Sequence, residues 1–169
     1  ILGNRGPAKF VHASRLAPAL ISLGARVRIV GPGEQDEQVL PLEALYQIPR
    51  KEDEKENVLS QGQIVTHLIL PPDEARLSAS YEVRQSEGPD QPLASAAATM
   101  DVTGGTVREA RIVMGQVAPI PWLSEDAARS IIGQPINEQT AEIAGFEAVA
   151  GSMPLSQNKY KVQVAQVAV

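Results

Sequence analysis

The stretch Ala94-Ser95-Ala96-Ala97-Ala98-Thr99-Met100-Asp101-Val102-Thr103, Gly104-Gly105, Thr106-Val107-Arg108-Glu109-Ala110-Arg111-Ile112-Val113-Met114-Gly115 decides the fold class. Two runs of strand character flank a pair of glycines, and a two-residue link of that kind suits the positive φ angles of a primed hairpin turn. Ala110, Ile112 and Met114 fall on one face of the second strand, with Glu109 and Arg111 on the other. Upstream, Ser78 to Gln85 reads as a third strand of the same sheet. Downstream, Pro119 and Pro121 bracket a turn holding Trp122, the single tryptophan.

Helices follow. Ser124 is placed to cap one, with Glu125 and Asp126 at its positive end and Gly133 at its close. Asn137 caps the next, which carries Ala141, Ala144 and Ala148 on one side and stops at Gly151. Ser156 is the expected cap of a last helix in which Tyr160, Val164, Val167 and Ala168 keep helical spacing, although Val162 and Val164 also alternate like a strand. A run of strands followed by a run of helices makes the chain α+β.

The first seventy residues have a different texture. Ser14 is the expected cap of a short helix from Arg15 to Leu23, with Leu16, Leu20 and Leu23 at helical spacing and Gly24 as the stop. Val27 and Ile29 alternate with Arg26 and Arg28 in a half-buried strand that Gly31-Pro32-Gly33 ends. A short strand around Val39 and Leu40 and an apolar turn from Leu42 to Tyr46 come next. Arg50 to Asn57 is almost wholly charged and reads as a solvated loop. Gln63 to Leu70, apolar on both faces apart from Thr66 and His67, is expected to be an inner strand. Pro71-Pro72 stops it, and Pro71 to Arg76 is the expected domain boundary.

Composition narrows the chemistry. The 169 residues are 43% hydrophobic and 21% charged, a globular balance. Fifteen lysines and arginines against twenty acids give a net charge of −5, and aromatics are only 4%, so phosphate neutralisation and base stacking both lack material. Nucleic acid is not an expected partner. With no cysteine, this chain can supply no disulfide, thiolate zinc site, cysteine nucleophile or iron–sulfur ligand. No stretch is long and apolar enough for a membrane span. The opening Ile1-Leu2-Gly3-Asn4-Arg5 has neither a signal-peptide layout nor an obvious natural start, and a fragment or a trimmed subunit is expected, with a naturally short subunit as the alternative. His12 and His67 have no carboxylate at ligand spacing, so neither is expected to hold a metal. Gly31-Pro32-Gly33 is too short and stiff for a phosphate cradle. The paired carboxylates of the charged loop sit in water, where no division into acid and base develops. Nothing here performs bond-breaking chemistry unaided.

The segments together resemble the flavin-carrying subunit of the molybdenum hydroxylases, the family of xanthine dehydrogenase, aldehyde oxidase and carbon monoxide dehydrogenase, and within it most of all the bacterial aldehyde oxidases. Three stretches carry the resemblance: His12 to Leu20 running on through Leu23-Gly24-Ala25-Arg26-Val27; Glu56 to His67 ending at Leu70-Pro71; and Gly104 to Trp122 with Gly133-Gln134-Pro135-Ile136 and Asn158 to Val162. The resemblance implies that 1–72 is the second, incomplete half of an FAD-binding domain, a mixed sheet with helices. It implies that 77–169 is the C-terminal domain, a three-stranded antiparallel sheet backed by a helical bundle. It also implies FAD held between two subdomains, with the pyrophosphate on a glycine-rich loop of the first. On this chain, Ser14, Arg15, Ile64, Glu82 and Arg84 would then face the cofactor.

Two of these positions depart from the family pattern, Arg15 standing where an aspartate is expected and Glu82 where a basic residue is expected, and nearby Gln63 stands where a glutamate is expected. Two such reversals imply altered FAD contacts, because the pyrophosphate demands positive charge or N–H donors. The implied function is electron transfer from iron–sulfur clusters on a small partner subunit, through FAD, to an external acceptor. A large partner subunit carries the molybdenum cofactor and hydroxylates substrate. This chain would then be an oxidoreductase subunit, inactive alone and cytoplasmic, with the periplasm as the alternative setting. The rival reading is a non-catalytic scaffold domain that keeps the fold without FAD. Trp122 is expected either to plug the junction of sheet and helices or to face a partner.

Overall fold

The computed structural model describes residues 1–33, 35–72 and 76–169; the central part of the expected boundary lies outside them. Helix α1 (Leu16–Ser22) leads into a sheet of β1 (Arg26–Val30), β2 (Glu37–Pro41) and β3 (Ile64–Ile69), with a single 3-10 turn at Leu42–Leu45. The strand order is β2-β1-β3, and both pairings are antiparallel, so this sheet is not the expected mixed one. A second sheet contains β4 (Leu77–Val83), β5 (Ala94–Thr103), β6 (Thr106–Gly115) and β7 (Trp122–Leu123) in that order. Helices α2 (Glu125–Ile131), α3 (Glu138–Val149) and α4 (Tyr160–Ala168) complete the chain. The architecture is α+β.

The glycine hairpin forms where the sequence places it, and β5 and β6 keep the expected ends. Gly104 and Gly105 sit at φ 61° and 77°, the left-handed pair of a type I′ turn. β6 separates two cores. Ile112 and Met114 point into one with α2, α3 and α4, where Ala127, Ala144 and Ala165 are buried. Val113 points the other way, onto Ile21, Val27, Ile29 and Leu42. Both faces of the second sheet are therefore covered at this strand. Arg111, on the same face as Val113, adds polar links by donating to the Ile21 carbonyl at 3.2 Å and to Glu43 at 2.9 Å.

The structure corrects several expectations. α1 buries Ala17, Pro18, Ile21 and Ser22, while Leu16 is 61% exposed. The leucine spacing marked a helix but not its inner face: Ile21 enters the first core, and Pro18 lies close to Gly115 of the second sheet. β3 is an edge strand rather than an inner one, with Ile64, Leu68 and Ile69 all exposed. The C-terminal sheet has a fourth, two-residue strand, β7, at the Trp122 turn. Ser124 begins α2 by position, yet its hydroxyl makes no capping bond, and its carbonyl receives the Ala128 N–H instead. Ser156 caps nothing: α4 begins after Lys159. The Val162–Val164 stretch is helical, with Ala165 and Ala168 as its buried positions. In α3 Ala144 and Ala148 are buried, and Ala141 is exposed.

Asn137 does cap α3, accepting the Thr140 N–H at 2.9 Å. Ser14 acts one residue ahead of the N-cap position, Arg15, its hydroxyl accepting the Ala17 N–H at 3.0 Å. The Gly31 turn is filled by its own chain, since the Gly33 N–H donates to the Asp36 carboxylate at 3.2 Å.

Candidate functional site

Four of the five candidate cofactor-facing residues come together. Ser14 and Arg15 lead into α1, Glu82 lies near the end of β4, and Arg84 directly follows it. Arg15 donates to both oxygens of Glu82, at 2.7 and 2.8 Å, in a bidentate pair. Arg84 also bonds Glu82 and donates to the Gly88 carbonyl at 2.9 Å. One carboxylate thus braces two guanidinium groups, a cluster of net charge +1. The Arg15 bonds hold the Glu82 carboxyl below the usual range, aided by those from Arg84 and opposed by partial burial. Ile64 does not join this group. It opens β3 opposite Val30 and is 62% exposed.

The two reversed positions are therefore each other's partners. The local sequences do not announce this, because 67 residues separate them. Reversing Arg15 alone, as Arg15→Glu, places two acids face to face and is expected to lower the melting temperature. Adding Glu82→Arg is expected to recover most of that loss. A double variant no more stable than Arg15→Glu would count against the pairing. Because the pair is exposed to water, both shifts should shrink in high salt.

His12 lies on the same approach to α1. Its ring meets Tyr46 edge-on at 4.8 Å, and its Nδ1 accepts the Ser14 N–H at 3.3 Å. Burial lowers its pKa, against a smaller opposing pull from Glu56. A lowered histidine pKa means that the unfolded chain takes the proton first. This contribution to stability is complete above the unfolded value of about 6.5 and declines as pH falls toward the lowered value. A second loss, from Glu82, begins below the unfolded glutamate value of about 4.3. Melting curves between about pH 7.5 and 5.5 should fall for the native chain and flatten for His12→Gln.

A feature that sequence reasoning missed is an open groove of about 1300 Å³ between the N-terminal stretch, the loop around Ile48 and the Trp122 turn. Tyr46, Pro49, Ile120 and Met153 contribute apolar walls. Trp122 was the only available signal. It is half-buried, packs on the helical core and also lines the groove, so it plugs the junction while part of it stays accessible. None of the five candidate residues lines this groove. Among the described residues there is no group of three or more side chains suited to a metal. No helix among them is long and apolar enough to cross a membrane.

Comparison with known proteins is consistent with the geometry. Quinoline 2-oxidoreductase from Pseudomonas putida 86 superposes with a TM-score of 0.77 at 21% identity, over 95% of this chain and 55% of that one. Reconstituted CO dehydrogenase from Oligotropha carboxidovorans gives 0.75 at 21%, over 92% and 54%. A CO dehydrogenase from Hydrogenophaga pseudoflava that lacks the Mo-pyranopterin moiety of the molybdenum cofactor gives 0.74 at 22%, over 89% and 52%. At such identities the likeness is one of fold, and the chain spans about half the length of the chains it matches. Residues 79–169 match the family described as the CO dehydrogenase flavoprotein C-terminal domain, which is more than half of this sequence. The chain belongs to that family.

Proposed function

We propose that this chain is part of the flavin-binding, electron-transfer subunit of a molybdenum-dependent oxidoreductase of the aldehyde oxidase and xanthine dehydrogenase type. The family match over 79–169 carries the reading. The shared fold over nearly the whole chain supports extending it to the first sheet. A large molybdenum-binding subunit and a small iron–sulfur subunit are the proposed partners, in the cytoplasm or periplasm. The boundary between the two parts is placed between 72 and 77.

The donor set at α1 and β4 fits FAD. Arg15 uses Nε and Nη2 on Glu82, which leaves Nη1 outside the pair, and its side chain is 43% exposed. A net-positive pair of braced guanidinium groups suits the oxygens of a phosphate or of a flavin ring. Ser14, Arg15 and Arg84 would hold the cofactor, Glu82 would orient the arginines, and Ile64 would supply apolar contact. When bound, FAD supplies the redox chemistry, and the protein contributes position and electrostatics. No acid, base or nucleophile of this chain is required.

A flavin absorption spectrum from the purified full-length gene product tests the reading. Flavin bands are expected, and a colourless, folded product would favour the scaffold alternative. The occupation of Arg15 and Glu82 by each other is the observation on that side. The 169 residues alone are expected to bind FAD weakly, because one wall of a two-walled pocket gives little burial and few donors. Submicromolar binding in a fluorescence-quenching titration would overturn this expectation.

A further inference from the structure

Among the described residues, Gln116 is the one non-glycine residue with positive φ, at 60°. It is also 3% exposed. A left-handed backbone is costly for a residue with a Cβ, and a buried amide is costly unless its polar atoms find partners. Glycine would avoid both costs at this position, so the side chain must be judged by what it bonds.

Every polar group of that side chain is engaged. The Ser95 hydroxyl on β5 donates to Oε1 at 2.7 Å. Nε2 donates to the Ser14 carbonyl at 3.1 Å. The backbone carbonyl of Gln116 accepts from Lys161 Nζ of α4 at 2.8 Å. The site is also tight: a Cβ on neighbouring Gly115 would lie 2.4 Å from the Ser95 hydroxyl and 3.0 Å from Pro18 of α1. The next carbonyls continue the pattern, with Val117 accepting the Leu2 N–H at 3.1 Å and Ala118 the His12 N–H at 2.9 Å. The turn after β6 is thus where the chain before α1 is tied down, and Gln116 makes the one side-chain link in it that reaches Ser14.

We propose that Gln116 is a positioning residue: it fixes the Ser14 carbonyl to the second sheet and so sets the start of α1, from which Arg15 reaches Glu82. Its strained backbone aims the amide between Ser95 and Ser14, and the side chain bonds both. Its bearing on the cofactor rests on the flavoprotein reading above; the mechanical lock does not.

Hydrogen exchange on the full chain, without ligand, reads the lock directly. Gln116→Gly is expected to accelerate exchange about tenfold across Ser14 to Leu23, with the β5–β6 hairpin and α3 unchanged. Ser95→Ala, which removes one of the two anchors, is expected to give a smaller rise in the same segment. If Gln116→Gly does not fold, Ser95→Ala decides. Unchanged exchange over Ser14 to Leu23 would overturn the proposal. So would an equal rise everywhere, which would report only lost global stability. In the full-length flavoprotein, Gln116→Gly is then expected to lower flavin content. A loosened segment with undiminished flavin would keep the lock and remove its link to the cofactor.

Discussion

Gly145→Leu is expected to lower stability by about 3 kcal/mol or more, which for a chain of this size lowers the melting temperature by roughly 6 to 12 °C. An ideal Cβ on Gly145 would lie 2.7 Å from the Gln166 carbonyl oxygen and 3.3 Å from its Cγ. The nearer obstacle is backbone, so it cannot rotate away, and α4 must lift off α3. With it go Ala165 and Ala168, which are 0% and 3% exposed. Helix propensity works in the opposite direction, since replacing a mid-helix glycine by alanine gains up to about 1 kcal/mol. The collision is the larger effect, so even Gly145→Ala should melt lower than the native chain. A melting temperature raised by Gly145→Ala would mean that the two helices are not in this close contact.

Met114→Ala is expected to cost about 2–5 kcal/mol, the range for emptying a filled core position. Met114 is 0% exposed between the second sheet and the helices. Its neighbour Val113 is equally buried but belongs to the opposite core. Val113→Ala should therefore also destabilise, by about 2 kcal/mol for two methyl groups and the space they leave. Leu16→Ala, at an exposed position, should stay within about 0.5 kcal/mol of the native chain. Chemical denaturation of the three variants checks the order. If Val113→Ala were as mild as Leu16→Ala, the second sheet would be packed on one side only.

The second sheet was legible because its signals are local: two glycines at φ-demanding positions, and alternation that changes sides at every residue. α1 was legible as a helix but not in orientation. Its buried face, Ala17, Pro18, Ile21 and Ser22, is set by contacts with both sheets, among them the closeness of Pro18 to Gly115, which the leucine spacing does not reveal. β3 failed for a related reason, since an apolar run describes a strand without saying how many neighbours it has. At the candidate site, the resemblance brought Ser14, Arg15, Glu82 and Arg84 together, whereas the pairing of Arg15 with Glu82 spans too much chain to be read locally. Gln116 gave no signal at all, because a sequence does not display its backbone angles.

The two-sided burial of β6 has a consequence for biosynthesis. The ribosome releases the first sheet well before it releases Val113, the residue that closes that sheet's core. Until then Ile21, Val27 and Ile29 lack one of the buried side chains that cover them, next to a β3 edge on which Ile64, Leu68 and Ile69 stay exposed throughout. Nascent chains in that condition are prone to aggregate or to occupy chaperones. The β5–β6 hairpin, by contrast, joins residues close in sequence and can form as soon as it emerges. Maturation of the first sheet therefore waits on translation of the second.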